Sequence, residues 1–432
     1  MKILISNGRV VDPASGRDES ADIAIAAGRI VAVGRVSSDF TPDRRIDASG
    51  LVVAPGLVDL AARLGEPGHE HEGLLESEMA AAVAGGITSL VCLPDTDPVL
   101  DEPGLVEMLK FRARNLHLAR LFPLGALTRR LEGEVLTEMA ELTEAGCVGY
   151  SQAEVPCKDT LVLHRALQYA STFGYTVWLR PNDAWLGNGV AAKGPLATRM
   201  GLSGVPSIAE TIALATIFEL VRDTGARVHL CRLSSAAGID LVRKAKAEGL
   251  PVSCDVSINS LHLTDVDIGY FDAAMRVTPP LRQQRDRAAI RAALADGTIA
   301  ALVSDHTPVG EDAKHLPFAE AEPGATGLEL LLSLALKWGA DEGLPLTRTL
   351  ATVTAAPVGA IGDALGSLSA SAGRIVEGGV ADLVLFDADA YWKVEPRALQ
   401  SQSKHTPFAG YELPGRVRCT LVAGNVAYEA GA

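Results

Sequence analysis

From Leu51 onward, short apolar runs of strand length alternate with helical segments eight times over. The runs are LVVAPGLVDLA, GITSLVCLPD, ARLFPLGAL, CVGYSQ, YTVWLRP, RVHLCRLS, PVSCDVSI and IAALVSDHTP. A strand that is apolar without alternation is covered on both faces, which is the condition of a parallel sheet wrapped by helices. Helical segments follow most of the runs, among them EGLLESEMAAAVAGG, DTLVLHRALQYASTFG and RDRAAIRAALADG, and many end in glycine, the favoured residue after a last helical turn. Ser207 to Glu210 has capping-box spacing ahead of TIALATIFELV. Eight strands with helical connections predict an α/β fold closed as a (β/α)8 barrel. A doubly wound open sheet is the alternative, but no GxGxxG follows the first run.

Both ends of the chain read differently. KILISNGRVVD, ADIAIAAGRIVAVG and RRIDASG are β-rich runs punctuated by Asn-Gly and Ala-Gly turns, and GGVADLVLFD with GRVRCTLVAGNVAYEAG repeats the style near residue 432. We expect residues 1–50 and 366–432 to form one small β-sandwich domain from both termini, with the barrel occupying 51–365. Apolar residues are 48% of the chain but aromatics only 5%, so alanine, valine and leucine fill the core. A net charge of −14 argues against nucleic-acid or anionic membrane surfaces. The six cysteines are scattered without a CxxC pair, as in reduced core positions of a cytoplasmic protein, and no signal peptide or membrane-length run is visible.

The first barrel run ends as LVDLAARLGEPG. Ala61 and Arg63, two apart on a strand, face the same way toward whatever lies above the sheet. His69 and His71 form an HxH two positions past EPG, and read more readily as solvated loop residues than as a relocated metal pair. His229 suits a core or supporting role. His306 should point away from Asp305, and His117, His164, His315 and His405 belong to no constellation. Ser234 and Ser235, before a helix, suit N-capping better than catalysis. Alternation places Cys231 on the face opposite Arg232, in the barrel wall.

Several stretches, in order, carry a resemblance: VVAPGLVDL with EPG, GGITSLVCLPDTDPV, GCVGYS, VSCDVSINSLHLTD, MRVTPPLR, VSDHTP and GGVADLVLFD. Over essentially its whole length the chain resembles the dihydroorotases of the amidohydrolase superfamily. The resemblance implies a TIM barrel of the metal-dependent hydrolase type and, in active relatives, a zinc site that opens the dihydroorotate ring. It also implies where the ligands should stand, and there the match fails. The paired histidines of the first strand fall on Ala61 and Arg63. The acidic pair after the fourth strand falls on Gln152 and Ala153, and the histidines of the fifth and sixth strands fall on Arg180 and Arg232. Only Asp305 survives. Substrate-gripping positions fall on Gly65, Asp95 and Val309, and Ser260 stands where relatives keep a histidine two places before His262. Alanine has no donor atom, arginine stays protonated, and one aspartate alone does not hold a catalytic zinc. The expectation is therefore no metal and no cofactor.

The resemblance extends to inactive dihydroorotase-like chains that accompany aspartate transcarbamoylase. It implies a non-catalytic assembly partner of that enzyme's catalytic chain in pyrimidine biosynthesis, as a homo- or hetero-oligomer. An active dihydroorotase, or another cyclic-amide amidohydrolase with an altered metal site, is the alternative, and a small-anion binding module is a third. A carboxylate left without its metals needs a partner, so at least one of Arg63, Arg180 and Arg232 should bond Asp305, with Asp95, Asp183 and Glu66 the next partners. More arginines than acids would leave positive charge for an anion. The segment 308–327, long and rich in glycine and proline, is expected to be partly mobile or pinned by a partner.

Overall fold

The computed structural model describes residues 1–431. Eight parallel strands close a barrel: Leu57–Ala62, Ile87–Cys92, Arg120–Pro123 continued by Gly125–Ala126, Tyr150–Ser151, Thr176–Leu179, Arg227–Leu230, Val252–Ser257 and Ala301–Val303. A parallel bridge between Ala62 and His306 joins the last strand back to the first. Alternate residues separate two layers. Val58, Leu60, Val91, Ala126, Trp178 and Val303 fill the barrel. Leu57, Leu90, Val177, Val228 and Leu302 face the helices outside.

Three helices end as the glycines suggested. Thr160–Phe173, Ile208–Thr224 and Gln284–Asp296 are each followed by a left-handed glycine. Asp159 caps the first of them by accepting from the Leu161 and Val162 amides. The capping box at Ser207 does not form. Glu210 is instead drawn inward, 4% exposed, by stronger partners described below.

The terminal segments join in one eight-stranded sheet. Lys2–Asp12, Arg17–Ala26 and Arg29–Gly34 form an antiparallel meander, Arg44–Asp47 lies parallel to the first of these, and Leu383–Lys393, Glu412–Val422 and Asn425–Glu429 extend the far side. Val52–Pro55 sits in its middle, pairing with both Lys2–Asp12 and Leu383–Lys393. The apolar run from Leu51 is therefore two strands in two sheets. The break falls at Gly56, where a Cβ would overlap the Thr88 side chain. Asn7-Gly8 is not a turn. It is a bulge within the first strand, whose pairing with Arg17–Ala26 resumes at Gly8 because Val10 and Val11 beyond it are buried. Ala27-Gly28 does turn a hairpin, with φ of 50° and 76° at the two positions.

No helix among the described residues is long and apolar enough to cross a membrane. All six cysteines are free thiols.

Candidate functional site

The C-terminal ends of the barrel strands surround a cavity of about 430 Å³. Its floor is a network of three arginines and three carboxylates. Arg63, just past the first strand, donates from Nε and Nη2 to Asp95 Oδ2 at 3.0 and 2.8 Å, and from Nη1 to Thr307 at 3.0 Å. Arg232 donates from Nη1 to Asp305 Oδ1 at 3.1 Å, and its backbone N–H donates to Asp255 Oδ1 at 2.6 Å. Glu154 stands at the centre. It takes Arg63 Nη2 at 3.1 Å, Arg180 Nη1 at 3.0 Å, and Arg232 Nη2. Ion pairs this enclosed are strong only because each charge has its opposite within hydrogen-bond reach.

The backbone is bent to bring these groups in. Ala153, Arg232 and Asp305 all have left-handed φ, at 50°, 53° and 51°. Such conformations cost non-glycine residues on the order of 1 kcal/mol each and gather where side chains must be aimed. For Arg232 this also undoes the strand alternation assumed for Cys231. The sixth strand has already ended at Leu230, and Cys231 packs against the inner barrel cluster directly beside the arginine.

Burial works against ionisation of Glu154, but the attraction of Arg232, Arg180 and Arg63 outweighs it and holds the carboxyl well below its usual range. The reverse holds for Asp305, where burial dominates over Arg232 and raises the carboxyl. Burial likewise tends to neutralise Arg63 and Arg232, but Asp95 and Glu154 hold the first charged, and Glu154 and Asp305 the second.

Other expected positions lie as follows. Ala61 is buried against the inner cluster. Gly65 has φ +73°, and a Cβ there would overlap the Gly73 carbonyl, so the 65–73 turn admits no side chain at this place. Gln152 turns away from the arginines, accepting from Thr128 at 2.9 Å and donating to the Leu131 carbonyl at 2.7 Å. Val309 is buried, its amide on Ser403. Glu66 and Asp183 do not join the network: Glu66 pairs with Arg112 and the Leu75 amide, and Asp183 caps the Trp185 and Leu186 amides. Glu154 is the residue that sequence reasoning missed, one place beyond the acidic position read at Gln152 and Ala153. Because it is present, arginines and acids balance three to three, and the surplus charge considered for an anion is absent from this network.

Supporting residues complete the mouth. His306 is buried, with Nε2 2.9 Å from Glu78 Oε2 while Nδ1 accepts from the Gly327 amide at 3.1 Å. His262 bonds the Leu334 carbonyl at 2.9 Å, and burial pushes it down to about 3. Ser235 caps the helix Ala236–Ala247 by accepting from the Gly238 amide. Ser234 does not cap; its hydroxyl donates to Glu210 and accepts from Arg282 Nε. The segment 308–327 makes contacts with its own chain. Lys314 donates to the Arg276 and Glu322 carbonyls at 2.7 and 2.6 Å, and Phe318 packs in a small buried cluster.

Comparison with known proteins settles the family. The dihydro-orotase-like family model matches residues 50–237. The chain is 44% identical over 430 residues to the dihydroorotase-like protein of Pseudomonas aeruginosa, covering 99% of this chain and 100% of that one. The chain belongs to the dihydroorotase family. A dihydroorotase-like protein of Pseudomonas putida is 42% identical, with 99% of each chain covered, and a dihydroorotase of Geobacter sp. is 38% identical, with 100% of each covered. Among solved structures, an L-hydantoinase from Arthrobacter aurescens superimposes with a TM-score of 0.87 at 25% identity, covering 100% of this chain and 96% of that one. A dihydropyrimidinase from Brevibacillus agri, at 21% identity and a TM-score of 0.83 over 99% and 95% of the two chains, shares the barrel with its terminal β-sheet domain.

Does the mouth of this dihydroorotase-family barrel fit a catalytic zinc? The residues present do not. Zinc needs three neutral or anionic donors and an open position. Here Ala61 offers none, three guanidinium groups occupy the space, and Asp305 and Glu154 are committed to them. Among the described residues one other group has a metal-capable donor set: His229, Cys231 and Asp255, buried with ligand atoms within 4.8 Å of one another. Its groups are already engaged. His229 lies 2.9 Å from Asp255 Oδ2 through Nε2 and 2.7 Å from Ser253 through Nδ1, and burial, followed by Asp255, drives the Cys231 thiol well up.

The buried acids set an expected pH profile. Burial pushes Asp59 up to about 6 and Glu329 up to about 7, despite hydrogen bonds that oppose it. A carboxyl whose folded value lies above its unfolded one favours folding at low pH, and that contribution is lost as pH rises from about 4 through 6 to 7. Glu154 and Glu78 are shifted the other way and stabilise only above their unfolded value near 4.5. His262, pushed down to about 3, and Lys314, pushed down to about 7, carry the opposite sign and favour the folded chain as pH rises, so the carboxyls are read by substitution. Asp59→Asn and Glu329→Gln should raise the thermal midpoint at pH 7 relative to the wild type more than they do at pH 4.5. A difference from the wild type that is the same at both pH values would contradict the assignment.

Proposed function

We propose that this chain is a non-catalytic member of the dihydroorotase family that serves pyrimidine biosynthesis by assembling with aspartate transcarbamoylase and stabilising it. The observation that carries the non-catalytic half is the arginine network. Cations fixed at the barrel mouth, each neutralised by a carboxylate, repel a metal ion and leave no free acid to act as a base. The partner half is supported by the full-length likeness to relatives described only as dihydroorotase-like, together with the resemblance to inactive chains that accompany the transcarbamoylase. Deleting the chain from its host should lower transcarbamoylase assembly and activity while dihydroorotase activity in the extract persists. Unchanged transcarbamoylase, or loss of dihydroorotase activity, would sink the proposal.

A second reading, an amidohydrolase with a displaced metal site, draws on His229, Cys231 and Asp255. It requires zinc directly beside the guanidinium-bearing Arg232. Turnover that depends on Cys231 would favour it.

A further inference from the structure

After the seventh barrel strand the chain makes a short helix, Ile258–His262, and then a loop, 264–272, whose tip is apolar and stands in water. Tyr270 is 96% exposed, Val266 71% and Phe271 41%. The Tyr270 and Phe271 rings meet edge to face, with centroids 5.9 Å apart and planes at 83°. Phe271 has a left-handed φ of 61°, which an aromatic residue adopts only under constraint. The loop supplies that constraint through its own bonds. Asp267 Oδ2 accepts from the Thr264 amide and hydroxyl at 2.7 and 3.0 Å. The Asp272 amide donates to the Ile268 carbonyl at 2.9 Å, and Asp272 Oδ1 accepts from the Ala274 amide at 2.9 Å. Ile268 anchors the base, buried in one cluster with Phe318. The aromatic pair is therefore held out from a fixed base.

Folding gains nothing from holding Val266 and Tyr270 in solvent, whereas a tyrosine on a fixed loop loses little freedom when a second protein covers it. A side chain as exposed as Tyr270 stands out from the surface, so it fits a hollow in another protein rather than enclosing a small ligand. Charge specifies the edge of that hollow. Asp265, Asp267 and Asp272 flank the tip in the chain, and their side chains take hydrogen bonds only from neutral groups: the Thr264 and Ala274 amides, the Thr264 hydroxyl and the Gln283 side chain. Among the described residues none of the three forms an ion pair, so their negative charge is left for lysine or arginine on the covering surface. We propose that the loop 264–272 is the element by which this chain docks on the catalytic chain of aspartate transcarbamoylase, Tyr270 and Phe271 entering an apolar hollow edged by basic side chains. This rests on the assembly proposed above and adds the surface that makes it.

The test is sedimentation velocity of the full-length chain mixed with the purified catalytic chain of its host's transcarbamoylase. The wild type should form a complex. Tyr270→Ala should weaken it by about tenfold or more, and Val266→Ser/Tyr270→Ala further, while the thermal midpoint of the isolated chain stays unchanged because both side chains lie in solvent. Tyr270→Phe keeps the ring and should keep most of the affinity. Asp272→Asn keeps an acceptor for the Ala274 amide and removes the charge, so it should weaken the complex and lessen its sensitivity to salt. No complex with the wild type would overturn the assembly and the docking loop together. A wild-type complex that Val266→Ser/Tyr270→Ala leaves intact would overturn the loop alone. So would self-association of this chain that the double variant abolishes while transcarbamoylase binding persists, which would place a second copy on the tip.

Discussion

Glu154→Ala should lower the stability of the folded chain by roughly 3 kcal/mol, the lower end of what breaking a buried ion pair costs. The lower end applies because Glu154 keeps 31% of its side-chain surface exposed. The mechanism is the loss of a shared counter-charge. Among the described residues Arg180 has no other ion-pair partner, and Arg232, 2% exposed, would be left with Asp305 alone. Glu154→Gln keeps the shape and removes only the charge, so it should recover little of the loss. Equilibrium unfolding in denaturant reads the effect, and a variant within about 0.5 kcal/mol of the wild type would show that solvent already screens the cluster. Asp305→Ala should cost less, since Arg232 then keeps Glu154.

Glu210→Ala should be at least as damaging, on the order of 4 kcal/mol, from unsatisfied buried donors. Glu210 is buried in the helix Ile208–Thr224 and accepts four bonds: from the amide and hydroxyl of Ser234 at 2.8 and 2.6 Å, and from the amide and hydroxyl of Ser235 at 3.0 and 2.6 Å. These bonds pin the loop that follows the sixth strand, directly after Arg232. The effect should therefore reach the arginine network, and hydrogen exchange across residues 231–236 should quicken. A stable Glu210→Ala protein with unchanged exchange there would contradict this. The same bonds explain why the capping box at Ser207 fails: the glutamate is worth more to the loop than to its own helix end.

Much of the architecture was legible because a parallel barrel writes itself as uninterrupted apolar runs: seven of the eight strands fall inside the runs read from the sequence, and the first, Leu57–Ala62, ends one residue past its run. What a run cannot show is which sheet it joins. Val52–Pro55 and Leu57–Ala62 are equally buried, so only the close approach of Gly56 to Thr88 separates them. The bond between Arg232 and Asp305 followed from charge compensation, which needs only residue types and their strands. Glu154 escaped because the left-handed turn at Ala153 carries the next side chain into the mouth, and strand alternation gives no hint of that. Glu66 and Asp183 looked equally eligible in sequence, but local amides and Arg112 claim them first.

The central claim is that arginines, paired with acids, stand where chemistry would need a metal. Its most direct test is dihydroorotate ring opening and closure, assayed in both directions with the purified full-length chain in the presence of added zinc. The account predicts rates at the uncatalysed background, unchanged in Asp305→Ala. Turnover above background that disappears with a chelator, or with Asp305→Ala, would contradict it.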